Sequence, residues 1–269
     1  MTDTPRLLTL EAVRGLAALC VVVVHVALET GNYHIIPVGF VALDVFFVMS
    51  GFVNSRAYDD KLLAGMSWKR FMLLRVVRFY PSMFLGILVG LVAYAVIPAS
   101  AYPIGLIQGG DYQLSWKTLG HFVLLPDLTA REGIFPLNGV LWSLFFEMVV
   151  IGVHGLTVRY LTIRRLSVFV VAIAVAWAFT ALTAGQWGWG AGWNGPSFLR
   201  GFLRIGWAYG AGVLLRRATA YGWRVPALVP VALTVLVLFL PDFGLLRPRT
   251  ILSVFVLAPL IVALAAGAE

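Results

Sequence analysis

Charged residues and cysteines are scarce in this chain of 269 residues. Only 12% of the residues are charged and 61% are hydrophobic, whereas soluble domains usually carry about a quarter charged residues, so the composition disfavours a water-soluble fold. The single cysteine, Cys20, excludes a disulfide framework and a cysteine-based metal site, and we expect no metal centre. No polar, Ser/Pro-rich or repetitive linker separates the apolar runs, so the sequence predicts one domain over residues 1–269.

The net charge of +8 is distributed in short clusters between apolar segments, not along one basic helix or tail. This pattern is typical of membrane topology, and we expect no nucleic-acid partner. The N-terminal segment has no small-residue cleavage site after a short apolar core, and Glu11 and Arg14 interrupt it. We therefore expect no removable signal peptide and a first apolar segment that stays in the protein.

Long apolar runs dominate the chain, and eight of them approach the ~20 residues that a helix needs to span a bilayer. They are 8–28, 38–56, 79–98, 138–157, 166–185, 198–215, 226–241 and 250–267. The shorter segment 116–128 contains Lys117 and Pro126, which indicates a re-entrant or interfacial piece. The sequence therefore predicts an all-α fold, a polytopic membrane bundle of about eight transmembrane helices.

Lysine and arginine are distributed unequally between the two sides of this bundle, which sets its orientation because positive charge is retained in the cytoplasm. With the N-terminus inside, one side receives thirteen such residues and the other four. The thirteen are Arg6, Arg56, Lys61, Lys69, Arg70, Arg75, Arg78, Arg159, Arg164, Arg165, Arg216, Arg217 and Arg224, and the four are Lys117, Arg131, Arg247 and Arg249. The asymmetry predicts a cytoplasmic-membrane protein with a cytoplasmic N-terminus.

Two segments would then face outward and contact an extracytoplasmic substrate. The long loop 99–137 carries Asp111, Tyr112, His121, Asp127, Arg131 and Glu132. The segment 185–197 carries three tryptophans among glycines, at positions 187, 189 and 193. These tryptophans form either an interfacial aromatic belt or a sugar-stacking surface, and the sequence leaves both open.

Ionisable side chains inside the first span are functional candidates, because each charge there costs roughly 2.5–3.5 kcal/mol. Arg14 and His25 are eleven residues apart, close to three helical turns, so they share one helix face about 16 Å apart along the axis. Glu11 lies three residues before Arg14 and is predicted to pair with it. The competing interpretations are snorkelling for Arg14 and a hydrogen bond to a neighbouring helix for His25.

The second and fourth spans also carry ionisable groups. Asp44 precedes Ser50 and Gly51, which permit close helix approach, and it could orient a histidine or pair with an arginine. Glu147 lies in apolar surroundings and is predicted to pair with a charge or move a proton. We interpret His154, nearer the cytoplasmic end, as an ordinary residue.

The segment before the third span adds a pair of cations. Arg75 and Arg78 are three residues apart, so both guanidinium groups can face one anionic ligand at the mouth of the helix. Membrane anchoring on the cytoplasmic side is the competing interpretation, and it is the better one for Lys69 and Arg70.

In combination these segments resemble the acyltransferase-3 family of integral membrane O-acyltransferases. The resemblance lies in four linked motifs that follow one another in order between residues 7 and 150. They are Arg14 with His25 ten intervening residues later, DVFFVMSGF at 44–52, Arg75-Val-Val-Arg78 leading into Phe79-Tyr80-Pro81, and Leu141-Trp142-Ser143-Leu144 followed by Glu147. The C-terminal half matches the family only in hydropathy.

The resemblance implies transfer of an acyl group, acetyl in the first instance, from cytoplasmic acyl-CoA to a hydroxyl of a carbohydrate or lipid-linked glycan. Arg75 and Arg78 would bind the CoA phosphates, the thioester arm would pass Arg14, and Glu147 would support the reaction. His25 would act as the general base on the acceptor hydroxyl, with an acyl-histidine intermediate as the second variant. Acyl-CoA is then a substrate, and we expect no permanently bound cofactor.

Two other functions compete with acyl transfer. Buried His, Asp, Glu and Arg also build the proton relays of transporters and flippases, although we find no inverted repeat in the sequence. The family usually has ten spans and a late Ser-Tyr-x-x-Tyr-Leu-x-His segment, whereas this chain has about eight spans and is predicted to lack the last two. A non-catalytic relative is therefore the third hypothesis.

Overall fold

The computed structural model describes residues 7–32, 36, 38–96, 116–129, 133–184, 191–218, 225–239 and 246–268. Within these ranges the regular structure is helical, with no strand. The α-helices are α1 (Leu8–Glu29), α2 (Val41–Leu63), α3 (Trp68–Val96), α4 (Trp116–Gly120), α5 (Leu141–Thr157), α6 (Ile163–Ala184), α7 (Phe198–Ala218), α8 (Leu228–Phe239), α9 (Leu246–Leu252) and α10 (Ala258–Gly267). A π-helical turn, Ser253–Leu257, joins α9 to α10 without a break. The prediction of an all-α fold is confirmed.

The helices agree with the predicted membrane spans. By length and composition, four described segments can cross a membrane: Leu8–Leu28, Trp68–Val96, Ile163–Thr183 and Arg249–Gly267. Helices α5 and α8 are shorter apolar helices. Helices α2 and α7 have 23 and 21 residues, but they carry several charged side chains, which lowers their hydropathy. Each of the eight predicted stretches thus lies on one helical segment, which confirms a polytopic membrane protein.

The centre of the bundle is the pair of helices α2 and α7. Glycines allow their backbones to touch: a Cβ atom at Gly51 would collide with the carbonyl of Tyr209, and one at Gly212 with the carbonyl of Val48. Small residues at such contacts are typical of membrane helices, whose association depends on close packing. Helices α5 and α6 pack on α7, while α1 and α10 pack on α2.

A buried ion pair also joins α2 and α7. Asp44 and Arg204 are 0% and 1% exposed, and the guanidinium donates two hydrogen bonds to the carboxylate, at 2.9 and 2.8 Å. Arg204 also donates to the carbonyl of Phe40 at 3.1 Å. Of the two interpretations of Asp44, the structure shows pairing with an arginine.

Helix α3 begins earlier than predicted. The expected span started at residue 79, whereas the helix starts at Trp68, so Arg75 and Arg78 lie within it and not in a loop before it. The extra turns are held against α5, because the Trp68 indole donates to the carbonyl of Gly152 at 2.9 Å and the Phe71 ring covers Gly155. Hydropathy alone misses this start, because the added turns carry cations.

The outward-facing segments are described only in part. Asp111, Tyr112, Arg131, Glu132 and the tryptophans at 187 and 189 lie outside the described residues. The predicted interfacial segment contains the short helix α4 and a 3₁₀ turn, His121–Val123, that packs against α3. Trp193 packs over Gly133, and its carbonyl accepts a hydrogen bond from the amide of Ile134 at 2.9 Å.

Candidate active site

A cavity of about 420 Å³ lies between α1, α2, α3 and α5. Its polar lining comes from all four helices and consists of Arg14, Ser50, Asn54, Arg75, Arg78, Ser143 and Glu147. The rest of the lining is apolar and includes Ala18, Val21, Phe46 and Phe47. Six of the site residues expected from sequence thus meet around one space, although their motifs are far apart in the chain.

Glu147 of α5 is the carboxylate of this cavity. The Ser50 hydroxyl donates to its Oε1 atom at 2.5 Å, and the Asn54 amide donates to the Ser50 oxygen at 3.3 Å. Arg75, Arg78 and Arg14 are the cations that act on Glu147 electrostatically. Sequence reasoning missed Asn54, although its position four residues after Ser50 places both on one face of α2.

Arg75 is held by aromatic rings, not by a carboxylate. Only 5% of it is exposed, and its guanidinium carbon lies 4.1 Å from the centre of the Tyr58 ring and 5.9 Å from that of Phe71. Its Nε atom has no hydrogen-bond partner among the described residues. Arg78 also lines the cavity but is exposed. Tyr58, which sequence reasoning missed, therefore fixes one of the two predicted anion-binding arginines.

Arg14 forms the predicted pair with Glu11. Its Nη1 atom donates to both carboxylate oxygens of Glu11 at 2.9 Å, and the side chains are 31% and 56% exposed. Arg14 nevertheless lines the cavity, so it lies at the rim between the surface and the interior.

His25 lies outside the cavity. Arg14, Ala18 and Val21 form a stripe of α1 that lines the space, and His25 continues this stripe one turn, or about 6 Å, beyond Val21. Its side chain is exposed. The structure thus places His25 on the helix face of Arg14 but does not bring it to Glu147.

The remaining predicted residues have packing or backbone contacts. Tyr80 is 40% exposed and stacks on Phe84, with ring centres 6.0 Å apart. Trp142 is 8% exposed and packs edge-on against Phe146. Ser143 lines the cavity, and its hydroxyl donates to the carbonyl of Val140 at 3.0 Å. Tyr80 and Trp142 are not among the residues that line the cavity.

Comparison with known proteins assigns the sequence to a family. The sequence profile of the acyltransferase-3 family, described as "Acyltransferase domain", matches residues 7–268. The chain belongs to this acyltransferase family. The match covers nearly the whole chain, including the C-terminal half, so the resemblance noted from the four motifs is confirmed.

Two relatives of this acyltransferase chain have partial matches. "Protein 2 in picA locus" of Rhizobium radiobacter is 31% identical over 168 residues, which are 58% of this chain and 85% of that protein. "Acyltransferase MdmB" of Streptomyces mycarofaciens is 29% identical over 188 residues, which are 64% of this chain and 45% of that protein. The matched region thus spans less than half the length of the second relative. No solved structure matches the chain significantly.

The acyltransferase chain also contains a polar network that sequence reasoning missed. His154 is buried, with Nδ1 2.8 Å from the Tyr209 hydroxyl and Nε2 3.1 Å from Oδ1 of Asp59. Arg217 binds Asp59 Oδ2 through Nε at 2.8 Å and Nη2 at 2.7 Å, and the Ser55 hydroxyl donates to the same oxygen at 2.7 Å. His154 therefore connects α5 to α2 and α7.

Proposed function

We propose that this protein transfers an acyl group, acetyl in the first instance, from cytoplasmic acyl-CoA to a hydroxyl of a carbohydrate or lipid-linked glycan. The observation that supports this function is the cavity between α1, α2, α3 and α5, where three arginines and one carboxylate meet. The protein would lie in the cytoplasmic membrane with its N-terminus in the cytoplasm, as the distribution of positive charge indicates.

The arginines suit the anionic part of the donor. Arg14 is already paired with Glu11, whereas Glu147 is the one carboxylate that the described residues contribute to the cavity lining and its charge acts on both Arg75 and Arg78, so positive charge remains available. The pyrophosphate and ribose phosphate of CoA accept two parallel hydrogen bonds from a guanidinium. The stacking of Arg75 on Tyr58 orients its guanidinium before the donor arrives, which lowers the entropy lost on binding.

The apolar lining suits the acyl end of the donor. From the arginines, the stripe of Ala18 and Val21 leads along α1 toward His25. At His25 the acceptor hydroxyl would give its proton to the imidazole as its oxygen attacks the thioester carbonyl, the carbon–sulfur bond would break, and the CoA thiolate would leave. Attack by His25 itself, through an acyl-histidine, is the second variant.

The name of the relative "Acyltransferase MdmB" is consistent with this reaction type. The decisive experiment supplies acetyl-CoA with a ¹³C-labelled acetyl group to membranes that contain the protein, followed by mass spectrometry of the extracted glycans and lipid-linked glycans. We expect labelled acetyl esters with the wild-type chain and none with the Arg75→Ala/Arg78→Ala variant. Proton uptake by vesicles without any labelled ester would contradict acyl transfer and favour a transporter.

A further inference from the structure

A second cavity, of about 360 Å³, lies between α5, α6 and α7. We call it the α5–α6 groove, and its apolar lining includes Val150, Val153, Phe169, Ile173, Phe202 and Leu203. Helices α5 and α6 follow each other in the chain and both pack on α7, and this space lies between them. Val153 and Phe169 are 53% and 47% exposed, so the groove opens at the outer surface of the bundle, where hydrocarbon surrounds a membrane protein.

The few polar side chains in the groove already have partners. The His154 ring nitrogens lie against Tyr209 and Asp59, as described above, and the Thr157 hydroxyl donates to the carbonyl of Val153 at 2.8 Å. A ligand with hydroxyl or amide groups would therefore lose its hydrogen bonds to water and gain none here. The groove suits a hydrocarbon chain.

The floor of the groove contains free volume. At Gly206 of α7, which lines the groove, an added Cβ atom would meet no other atom within 4 Å. A larger side chain at this position would therefore enter the groove without striking the backbone of a neighbouring helix.

Basic residues lie at one end of the groove. Thr157, Leu161 and Leu166 line that end. Three exposed arginines lie beside them in the chain: Arg159 in the connection between α5 and α6, and Arg164 and Arg165 in the first turn of α6. A cluster of arginines at the end of an apolar groove matches a molecule with a hydrocarbon tail and an anionic head.

We propose that the α5–α6 groove binds one acyl tail of an anionic phospholipid from the bilayer, whose phosphate contacts Arg159, Arg164 and Arg165. None of the described residues that line this groove also lines the candidate active site, so the two sites are distinct and the groove does not depend on the proposed reaction. Its bound tail would fill the space between α5 and α6.

The test uses the full chain in vesicles of phosphatidylglycerol and phosphatidylcholine, with a photoactivatable diazirine on the acyl chain of one lipid at a time. Mass spectrometry then maps the labelled peptides. For the wild-type chain we expect labelling of α5 and α6 residues in the groove, and more from phosphatidylglycerol than from phosphatidylcholine. In the wild-type chain, uniform labelling around α6, or labelling of its outer face alone, would contradict the proposal.

Two variants test the binding of the acyl tail and of the phosphate separately. Gly206→Leu should fill the groove and reduce its labelling several-fold from both lipids, while Ala172→Leu adds the same side chain to an exposed position on α6 and should change nothing. Arg159→Gln/Arg164→Gln should reduce the preference for phosphatidylglycerol by about fivefold for each arginine and leave phosphatidylcholine labelling intact. This variant retains Arg165, which donates to the carbonyl of Tyr160.

Three results would contradict the proposal. Undiminished labelling in Gly206→Leu would show that the tail lies elsewhere. Equal labelling by the two lipids in the wild-type chain would exclude an anionic head. Crosslinks between two copies of the protein through the groove, in place of lipid labelling, would show that a second copy covers it.

Discussion

Arg75 and Arg78 are three residues apart on α3, but their surroundings differ. Arg75 is buried and stacks on Tyr58, whereas Arg78 is exposed. A lysine ammonium neither stacks like a guanidinium nor forms two parallel hydrogen bonds. We therefore expect Arg75→Lys to weaken acyl-CoA binding by about tenfold, and Arg78→Lys to weaken it less. Calorimetry in detergent, with a thioether analogue of acetyl-CoA, measures the affinity of each Lys variant. Unchanged affinity in Arg75→Ala/Arg78→Ala would exclude binding of the CoA phosphates by this pair.

His25 is predicted to carry the proton transfer. Loss of a general base typically lowers the rate by about 10²–10⁴-fold. We expect His25→Ala to lose acyl transfer by this amount and to keep its affinity for acyl-CoA, because the residue lies beyond the cavity that holds the arginines. Val26→Ala, at an exposed neighbouring position, is the control and should retain full activity. A near-wild-type rate in His25→Ala would exclude His25 as the general base.

Glu147 is predicted to support the reaction by positioning the arginines of the cavity. Glu147→Gln keeps the shape of the side chain and its acceptor for the Ser50 hydroxyl, but it removes the charge that faces Arg75 and Arg78. We expect a lower transfer rate with normal folding, measured beside the elution profile of the detergent-solubilised protein. Loss of the folded protein in Glu147→Gln, with Ser50→Ala still folded, would instead indicate a purely structural carboxylate.

At the scale of helices, the Asp44–Arg204 pair tests how α2 and α7 are held together. Removing one partner leaves a buried unpaired charge, which costs about 3–5 kcal/mol, whereas replacing both with apolar residues of similar size is often neutral. We expect Arg204→Met alone to lower the thermal stability strongly, and Asp44→Leu/Arg204→Met to restore most of it. Thermal denaturation followed by size-exclusion chromatography measures the stability of each variant. If the losses of stability from the two single substitutions simply add in the double variant, the expected restoration is contradicted.

These helix contacts also show what sequence could predict. The spans followed from hydropathy, because a helix in hydrocarbon needs a long apolar run whatever its neighbours are. The start of α3 at Trp68 did not follow, because its first turns are stabilised by contacts with Gly152 and Gly155 of α5. Such contacts leave no periodic signal in the sequence.

The candidate site, like the fold, could be predicted from the sequence only in part. Ordered motifs indicated the arginines and Glu147, which the fold brings to one cavity. The partners of these residues were not predictable: Arg204 follows Asp44 by 160 residues, and His154 meets Tyr209 across 55. Pairing between distant helices depends on packing, and packing is decided by the whole bundle.

At the scale of the whole molecule, orientation remains a prediction that cysteine labelling can test. Cys20 is buried, so a Cys20→Ala background provides a chain without thiols. In intact cells we expect a membrane-impermeant maleimide to label Leu128→Cys, in the outward segment, and not Ala64→Cys, between α2 and α3. Both positions are exposed, so accessibility from outside alone distinguishes them. The reverse labelling pattern would place the N-terminus outside.

The tight contact of α2 with α7 has a mechanical consequence. Because a single added carbon at Gly51 or Gly212 would collide with the facing backbone, these two helices cannot slide past each other. Helix α3 is more exposed than α2 or α7, since few of its residues are buried, and Pro81 interrupts its backbone hydrogen bonds just after Arg78. Under the proposed function, we therefore expect α3 to bend at Pro81 as acyl-CoA enters and leaves, while α2 and α7 stay fixed and the turns that carry Arg75 and Arg78 keep their contacts with α5.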